Sequence, residues 1–318
     1  MQYITDFDSR FDDDEVLFPG FLAGVNSDIL KVKFDRGFSV REVPRREGLA
    51  LLADFEGVKA ESIEFSPDFR ALNRNDAFYI VENVFEGWVT TCGEENEGII
   101  LDPAYNDAAR VSLYLEPAIQ CLRFVTCKNI FLPFEYFYVK EGGKNVLRRR
   151  ISSFGILSFH HNFSLNDSER SAFEKLSKEE VIPFRQPFLG LAFRHFESSF
   201  ETPSNEQAFI SLLIALEIVL QPDAKGYFMS KNAANLLADS VDEKRRIMTD
   251  VRELYDARNK IVHQGMYRNP GGRSAPFDIE EYLLPKARNY AQRVIVRAAE
   301  LGKDKTQLSE FFRSFPDP

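Results

Sequence analysis

Apolar and polar positions change rhythm near the middle of the chain. Before residue 186 the apolar residues come in short aromatic and β-branched runs: Ile29 to Phe34 (ILKVKF), Phe38 to Val43 (FSVREV), Phe78 to Val84 (FYIVENV) and Cys121 to Phe131 (CLRFVTCKNIF). Alternation with a period of two puts successive side chains on opposite faces of a strand, so these runs predict β-structure. ILKVKF and FSVREV, separated by Asp35-Arg36-Gly37, predict a hairpin. Helices are expected to interrupt at about Arg46 to Phe55 and Asp167 to Ser177, the second capped by Asn166.

Past Pro183 and Pro187 the rhythm becomes helical. Phe188, Ala192, Phe196 and Phe200 recur at steps of four, and Ser204 with Gln207 gives a capping-box signature for the next helix, which Pro222 closes. Ala208 to Leu220 (AFISLLIALEIVL) is apolar nearly all round and belongs at the centre of a bundle. A shorter helix is predicted from Tyr227 to Ala238 and a long one from Asp242 to Gly265. The last opens at Asp278 with Glu281 as box partner, kinks at Pro285 and ends near Gly302. The pattern gives an α+β domain over residues 1–185 followed by an all-α helical bundle over residues 186–318.

Composition changes this picture only in part. With 318 residues, 44% hydrophobic and 28% charged, the chain has the make-up of an ordinary globular protein. No apolar run reaches the roughly 18 residues that span a bilayer. The acidic start, MQYITDFDSRFDDDEV, reads as a solvated tail unlike a signal peptide, so no membrane partner and a cytoplasmic location are expected. Residues 1–185 hold 22 Lys and Arg against 31 Asp and Glu, a net of −9, whereas residues 186–318 hold 18 against 18. Neither half is broadly basic, so contact with nucleic acid would need a local patch.

Cys92, Cys121 and Cys127 lack the spacing of a zinc site and are read as reduced core thiols. His160 and His161, adjacent on a strand, would point to opposite faces and cannot easily share an ion. No metal or cofactor is expected. Twenty of the thirty Phe precede residue 186, as does Trp88, which fits an aromatic core. Arg148-Arg149-Arg150, after Gly142-Gly143, reads as a solvated charge run leading into a strand, and Gly271-Gly272-Arg273 as a loop without the strand-before, helix-after setting of a phosphate cradle.

The candidate chemistry lies on the long helix. Ile247, Val251, Leu254, Ile261 and Val262 form its apolar stripe, and Arg258 falls on that stripe, a permanent charge on a face meant for burial. Tyr255, Asn259 and His263 form a second line along the edge, with Lys260 beside them. On an ideal helix Arg258 and His263 are roughly 140° apart, so they would flank a groove rather than touch. A guanidinium offers a planar fork of donors to a phosphate, and an imidazole exchanges a proton near neutral pH.

The segment LYDARNKIVHQG, with a polar residue after the Arg and an aromatic three residues before it, resembles the signature of the HEPN family, in its Apea-like branch. So does the upstream apolar helix with its single Glu217. The resemblance covers about residues 188–301. It implies an all-helical bundle that dimerises, and for many members a metal-independent endoribonuclease in which the Arg-x(4–6)-His motifs of two protomers meet in one cleft. The setting it suggests is a toxin or antiviral effector, with an antitoxin or a phage-derived trigger as partner. Other members only bind nucleotides or partners, which keeps a non-catalytic module as the alternative.

On this view His263 acts as general base or acid, Arg258 stabilises the transition state, and Asn259 orients the imidazole or contacts phosphate. Tyr255 packs the dimer seam. Glu217, on an apolar helix, needs a cation, and Arg258 is the candidate. Lys286, Arg293 and Arg297 share a face of the last helix and are candidates for an RNA-binding track.

Overall fold

The computed structural model describes residues 15–59, 62, 72, 77–86, 111–141, 144–150, 163–178, 186–202, 204–220, 226–265 and 279–315. The chain divides into two compact units, the described residues up to Ser177 in one and those from Lys178 onward in the other.

The first unit is built on a five-stranded antiparallel sheet in the order β2-β3-β1-β4-β5, with β1 Glu15–Ala23, β2 Ser39–Pro44, β3 Ala77–Glu86, β4 Phe131–Glu141 and β5 Lys144–Arg150. The central strand is one that the sequence disguises. Pro19-Gly20 in β1 looks like a turn, and proline cannot donate to a ladder. Pro19 lies opposite Glu82 of β3, whereas β4 pairs with Leu17 and Gly20 and passes over Phe18 and Pro19. The register to β4 then shifts between Phe21 and Ala23.

Alternation along β1 sends Phe18 and Phe21 to opposite faces, and each face has its own aromatic layer. Phe18 packs on Phe38 and Phe137 at 6.1 and 5.3 Å between ring centroids. Phe21 packs on Phe78, Phe134 and Tyr136 at 6.2–6.4 Å. Helix α1, Arg45–Glu56, covers the second layer: its Phe55 ring lies 4.7 Å from that of Tyr136. A Cβ on Gly48 of α1 would sit 1.8 Å from the Phe78 ring, so this approach of helix to strand needs glycine. The first layer is continuous with buried Ile119 and Leu122 of α2, Glu116–Thr126, and Phe173 of α3, Asp167–Lys178.

Two sequence expectations are corrected here. Ile29 to Phe34 does not form a hairpin strand: Ser27–Lys31 is a 3-10 turn whose cap Asn26 accepts the Asp28 N–H at 2.9 Å, and β2 pairs with β3 instead. Local side-chain bonding has overridden the alternation of ILKVKF. Cys121 to Thr126 is helical rather than extended, the last part of α2, which opens with Pro117 in its first turn; only Phe131 begins a strand. Asn166 caps α3 as expected, accepting the Glu169 N–H at 2.9 Å while the Glu169 carboxylate accepts the Asn166 N–H at 2.9 Å. Arg148 to Arg150 lie within β5.

The second unit is all-helical: α4 Pro187–Glu201, α5 Asn205–Leu220, α6 Gly226–Leu237, α7 Val241–Gln264, α8 Leu284–Leu301 and α9 Lys305–Arg313. Eight residues of α5, from Ala208 to Leu220, are buried, and the helix touches α4, α6, α7 and α8. Each large apolar side chain so buried contributes on the order of 1.5–3 kcal/mol. The ends follow local chemistry. Ser204 Oγ accepts the Gln207 N–H at 3.3 Å, Ser240 Oγ accepts the Glu243 N–H at 3.2 Å, and Gly265 closes α7 at φ 69°. Asn232 of α6 donates to the Leu220 carbonyl at 2.9 Å, satisfying the end of α5. A π turn, Ile279–Leu283, precedes α8, which takes Pro285 in its first turn instead of kinking there.

No helix among the described residues is long and apolar enough to cross a membrane. The expectations for Trp88, Cys92, Gly142-Gly143, His160-His161, Pro183, Pro222, Asp278 and the Gly271-Gly272-Arg273 loop lie outside the described residues.

Candidate functional site

Helix α7 carries the motif, and its buried stripe is Ile247, Val251, Leu254, Ala257 and Ile261. Val262, expected in the stripe, is 45% exposed instead; Ala257 takes the seam one turn before Ile261. In the last two turns Arg258 is half-buried, and Val262 and His263 are exposed.

The Arg258 guanidinium reaches across to α5, where its Nη2 lies 4.0 Å from Glu217 Oε1. The two side chains are 25% and 26% exposed. The expected partnership is thus present, in a half-wet setting where its Coulomb energy is small. Arg258 Nη1 donates to Asn259 Oδ1 at 3.2 Å, and the buried Nε has no hydrogen-bond partner. Tyr255 and Asn259 are half-buried along the edge, as the second line predicted, and Lys260 is half-buried next to them. His263 is exposed in the last turn of α7. Arg258, Asn259 and Glu217 are drawn into one cluster, and His263 lies exposed beyond it.

The face of α8 looks different from its sequence. Lys286 Nζ donates to Asp250 at 3.0 Å and to Glu253 at 2.8 Å, both on α7, and to the Tyr282 hydroxyl. Burial alone would push Lys286 down, but these hydrogen bonds hold it well above the usual lysine range. Tyr290 donates to Asp250 at 2.7 Å, and burial followed by that carboxylate pushes its phenol up. Arg293 meets Glu243 at 3.2 Å, and Arg297, 52% exposed, meets Glu300 at 2.9 Å. Two of the three candidate RNA-binding cations are spent on holding α8 against α7.

Asp250, Glu253, Tyr282 and Tyr290 were passed over in the sequence. The spacing of Asp250 and Glu253 on one helical face was the available signal, but their partners lie a helix away. His195 on α4 is half-buried; burial, with Arg194 beside it, lowers its pKa. Among the described residues no cluster of three or more His, Cys, Asp or Glu could hold a metal ion. No family model, curated protein or solved structure matches the chain.

Proposed function

We propose that the C-terminal unit is a metal-independent endoribonuclease of the HEPN type, acting as a homodimer in which the Arg258-x4-His263 motifs of two protomers share one cleft. The observation that carries this reading is the contrast within one helix end: Arg258 is held by Glu217 and Asn259, while His263, five residues on, stands in solvent. A positioned guanidinium can stabilise charge on a phosphate and an accessible imidazole can exchange the proton, and two protomers would bring one of each together across a shared cleft.

His263 takes the proton from a ribose 2′-hydroxyl, whose oxygen forms a bond to the adjacent phosphorus. The bond from phosphorus to the 5′-oxygen breaks, and a second imidazole, from the other protomer's motif, returns a proton to that oxygen. The products are a 2′,3′-cyclic phosphate and a 5′-hydroxyl. Arg258 stabilises the charge that builds on the phosphorane oxygens by bidentate hydrogen bonds. Asn259 fixes Arg258 through its Oδ1, and Tyr255 packs the dimer seam. The protein then works in the cytoplasm as a toxin or antiviral effector whose N-terminal unit answers an antitoxin or a phage-derived trigger.

One feature favours a second reading. The Glu217–Arg258 pair would equally serve as a clasp in a non-catalytic bundle used for nucleotide binding or dimerisation. Purified protein incubated with labelled RNA in EDTA separates the two. Cleavage that disappears in a folded His263→Ala protein supports the nuclease. Intact RNA, or equal cleavage by the variant, leaves only the bundle.

A further inference from the structure

The charges of α7 are sorted by face. Glu243, Asp250 and Glu253 turn toward α8 and are taken up by Arg293, Lys286 and Tyr290. Of the cations of α7, Arg245 and Arg252 lie on the far side of the helix, whereas Arg246 stays beside Glu243 and Arg258 turns to Glu217 of α5. Arg245 and Arg246 have side chains 79% and 67% exposed, and Arg252 is exposed as well. Arg245 meets Asp242 at 3.7 Å and Arg246 meets Glu243 at 3.6 Å, long contacts within one helical turn that water screens. Arg252 pairs with no carboxylate among the described residues. Although residues 186–318 are neutral in sum, the outer line of α7 carries two exposed arginines, Arg245 and Arg252, against one exposed carboxylate, Asp256.

The face also has a direction. Arg245, Arg252 and Asn259 are spaced by seven, so they fall within about 20° of one line on the helix, and His263 follows one turn after Asn259. The line from Arg245 to His263 is about 27 Å long. Exposed Asp256, four residues after Arg252 and seven before His263, lies within about 20° of the line through Arg245 and His263.

We infer that this outer line of α7, Arg245 and Arg252 leading to His263, binds the sugar-phosphate backbone of single-stranded RNA. The inference rests on the nuclease reading above and names where its substrate lies. Guanidinium forks grip phosphates without reading bases, so the track fixes position and not sequence. The strand is single because in-line attack by the 2′-oxygen needs a backbone free of duplex geometry.

The test uses the full chain with Arg245→Gln and Arg252→Gln combined, both solvent-facing and compatible with folding. With a labelled single-stranded RNA, KM is expected to rise about tenfold while kcat stays within about twofold. Binding to the His263→Ala background should lose about 1.4 from the slope of log K against log salt, two contacts at about 0.7 each. Arg313→Gln, an exposed charge removed from α9, should change neither. If the native protein cuts RNA but the double variant keeps its KM and salt slope, the track is wrong and the nuclease stands. If the native protein neither binds nor cuts RNA, the nuclease reading falls and takes the track with it.

Discussion

Glu217 on α5 and Arg258 on α7 face each other at 4.0 Å across the bundle, each about a quarter exposed. Such a pair is too wet to be a strong brace and too enclosed for either charge to be indifferent to the other. Glu217→Gln is expected to lower stability by about 1 kcal/mol or less, a fall in Tm of about 2–4 °C. If Glu217 also positions the guanidinium for cleavage, kcat should fall by more than this stability loss explains, with KM little changed. A stability loss alone would mark the pair as a clasp.

Substitutions at the two ends of the motif should separate chemistry from folding. His263 is exposed, so His263→Ala should leave Tm within about 1 °C yet reduce cleavage about 10²–10⁴-fold. Arg258→Lys keeps the charge but loses the planar fork, and should cost about 10²-fold in kcat. Single-turnover cleavage together with a melting curve for each variant gives both readings.

The Lys286 cluster makes stability depend on alkaline pH. A group whose folded pKa is raised contributes in full below its unfolded pKa, about 10.4 for lysine and about 10 for tyrosine, and loses that contribution as pH rises toward the folded value. Lys286 and Tyr290 are both raised, so unfolding free energy should decline above about pH 10, by up to about 1.4 kcal/mol per pH unit for each group. Denaturation midpoints from pH 8 to 11 should show this decline, and Lys286→Gln should flatten it. A Lys286→Gln profile parallel to that of the native chain would contradict the assignment.

In the first unit, Gly48→Ala forces a methyl into the Phe78 ring, 1.8 Å from where its Cβ would stand. Alanine is favoured over glycine in a helix by about 1 kcal/mol, but overpacking costs about 1–3 kcal/mol, and the buried Phe78 has little room to yield. Net destabilisation of up to about 2 kcal/mol is expected. An additional Phe78→Leu exchange should recover part of it, and a more stable Gly48→Ala protein would show that α1 slides freely on the sheet.

Helix ends were legible because their signals lie within four residues. Asn166, Ser204 and Gly265 act on the turn beside them, and each does in the structure what its chemistry predicts. The stripe of α7 was legible except toward its end, where Ala257 is buried and Val262 is exposed; a count of large apolar residues passes over an alanine. The central strand β1 was not legible, because Pro19-Gly20 carries the composition of a turn and only its neighbours in the sheet make it a strand. Cys121 to Thr126 misled for the opposite reason: its aromatic and β-branched residues suit a strand, yet the segment continues a helix begun at Glu116.

By itself the sequence determined the helices of the second unit as far as Gly302, though not α9 beyond it, the burial of α5, and the placing of Arg258, Asn259 and His263 on one helix end. These follow from the repeat of a single helix and from capping, both properties of adjacent residues. Which charges remain available to a ligand was decided only by tertiary structure. Lys286 and Arg293 form a basic face in the sequence, but they meet carboxylates 36 and 50 residues away on α7 and are neutralised. The same pairing turns those carboxylates inward and leaves Arg245 and Arg252 facing water. An ion pair between helices depends on how the helices cross, and that crossing is set by burial of all their apolar faces together, which no one segment encodes.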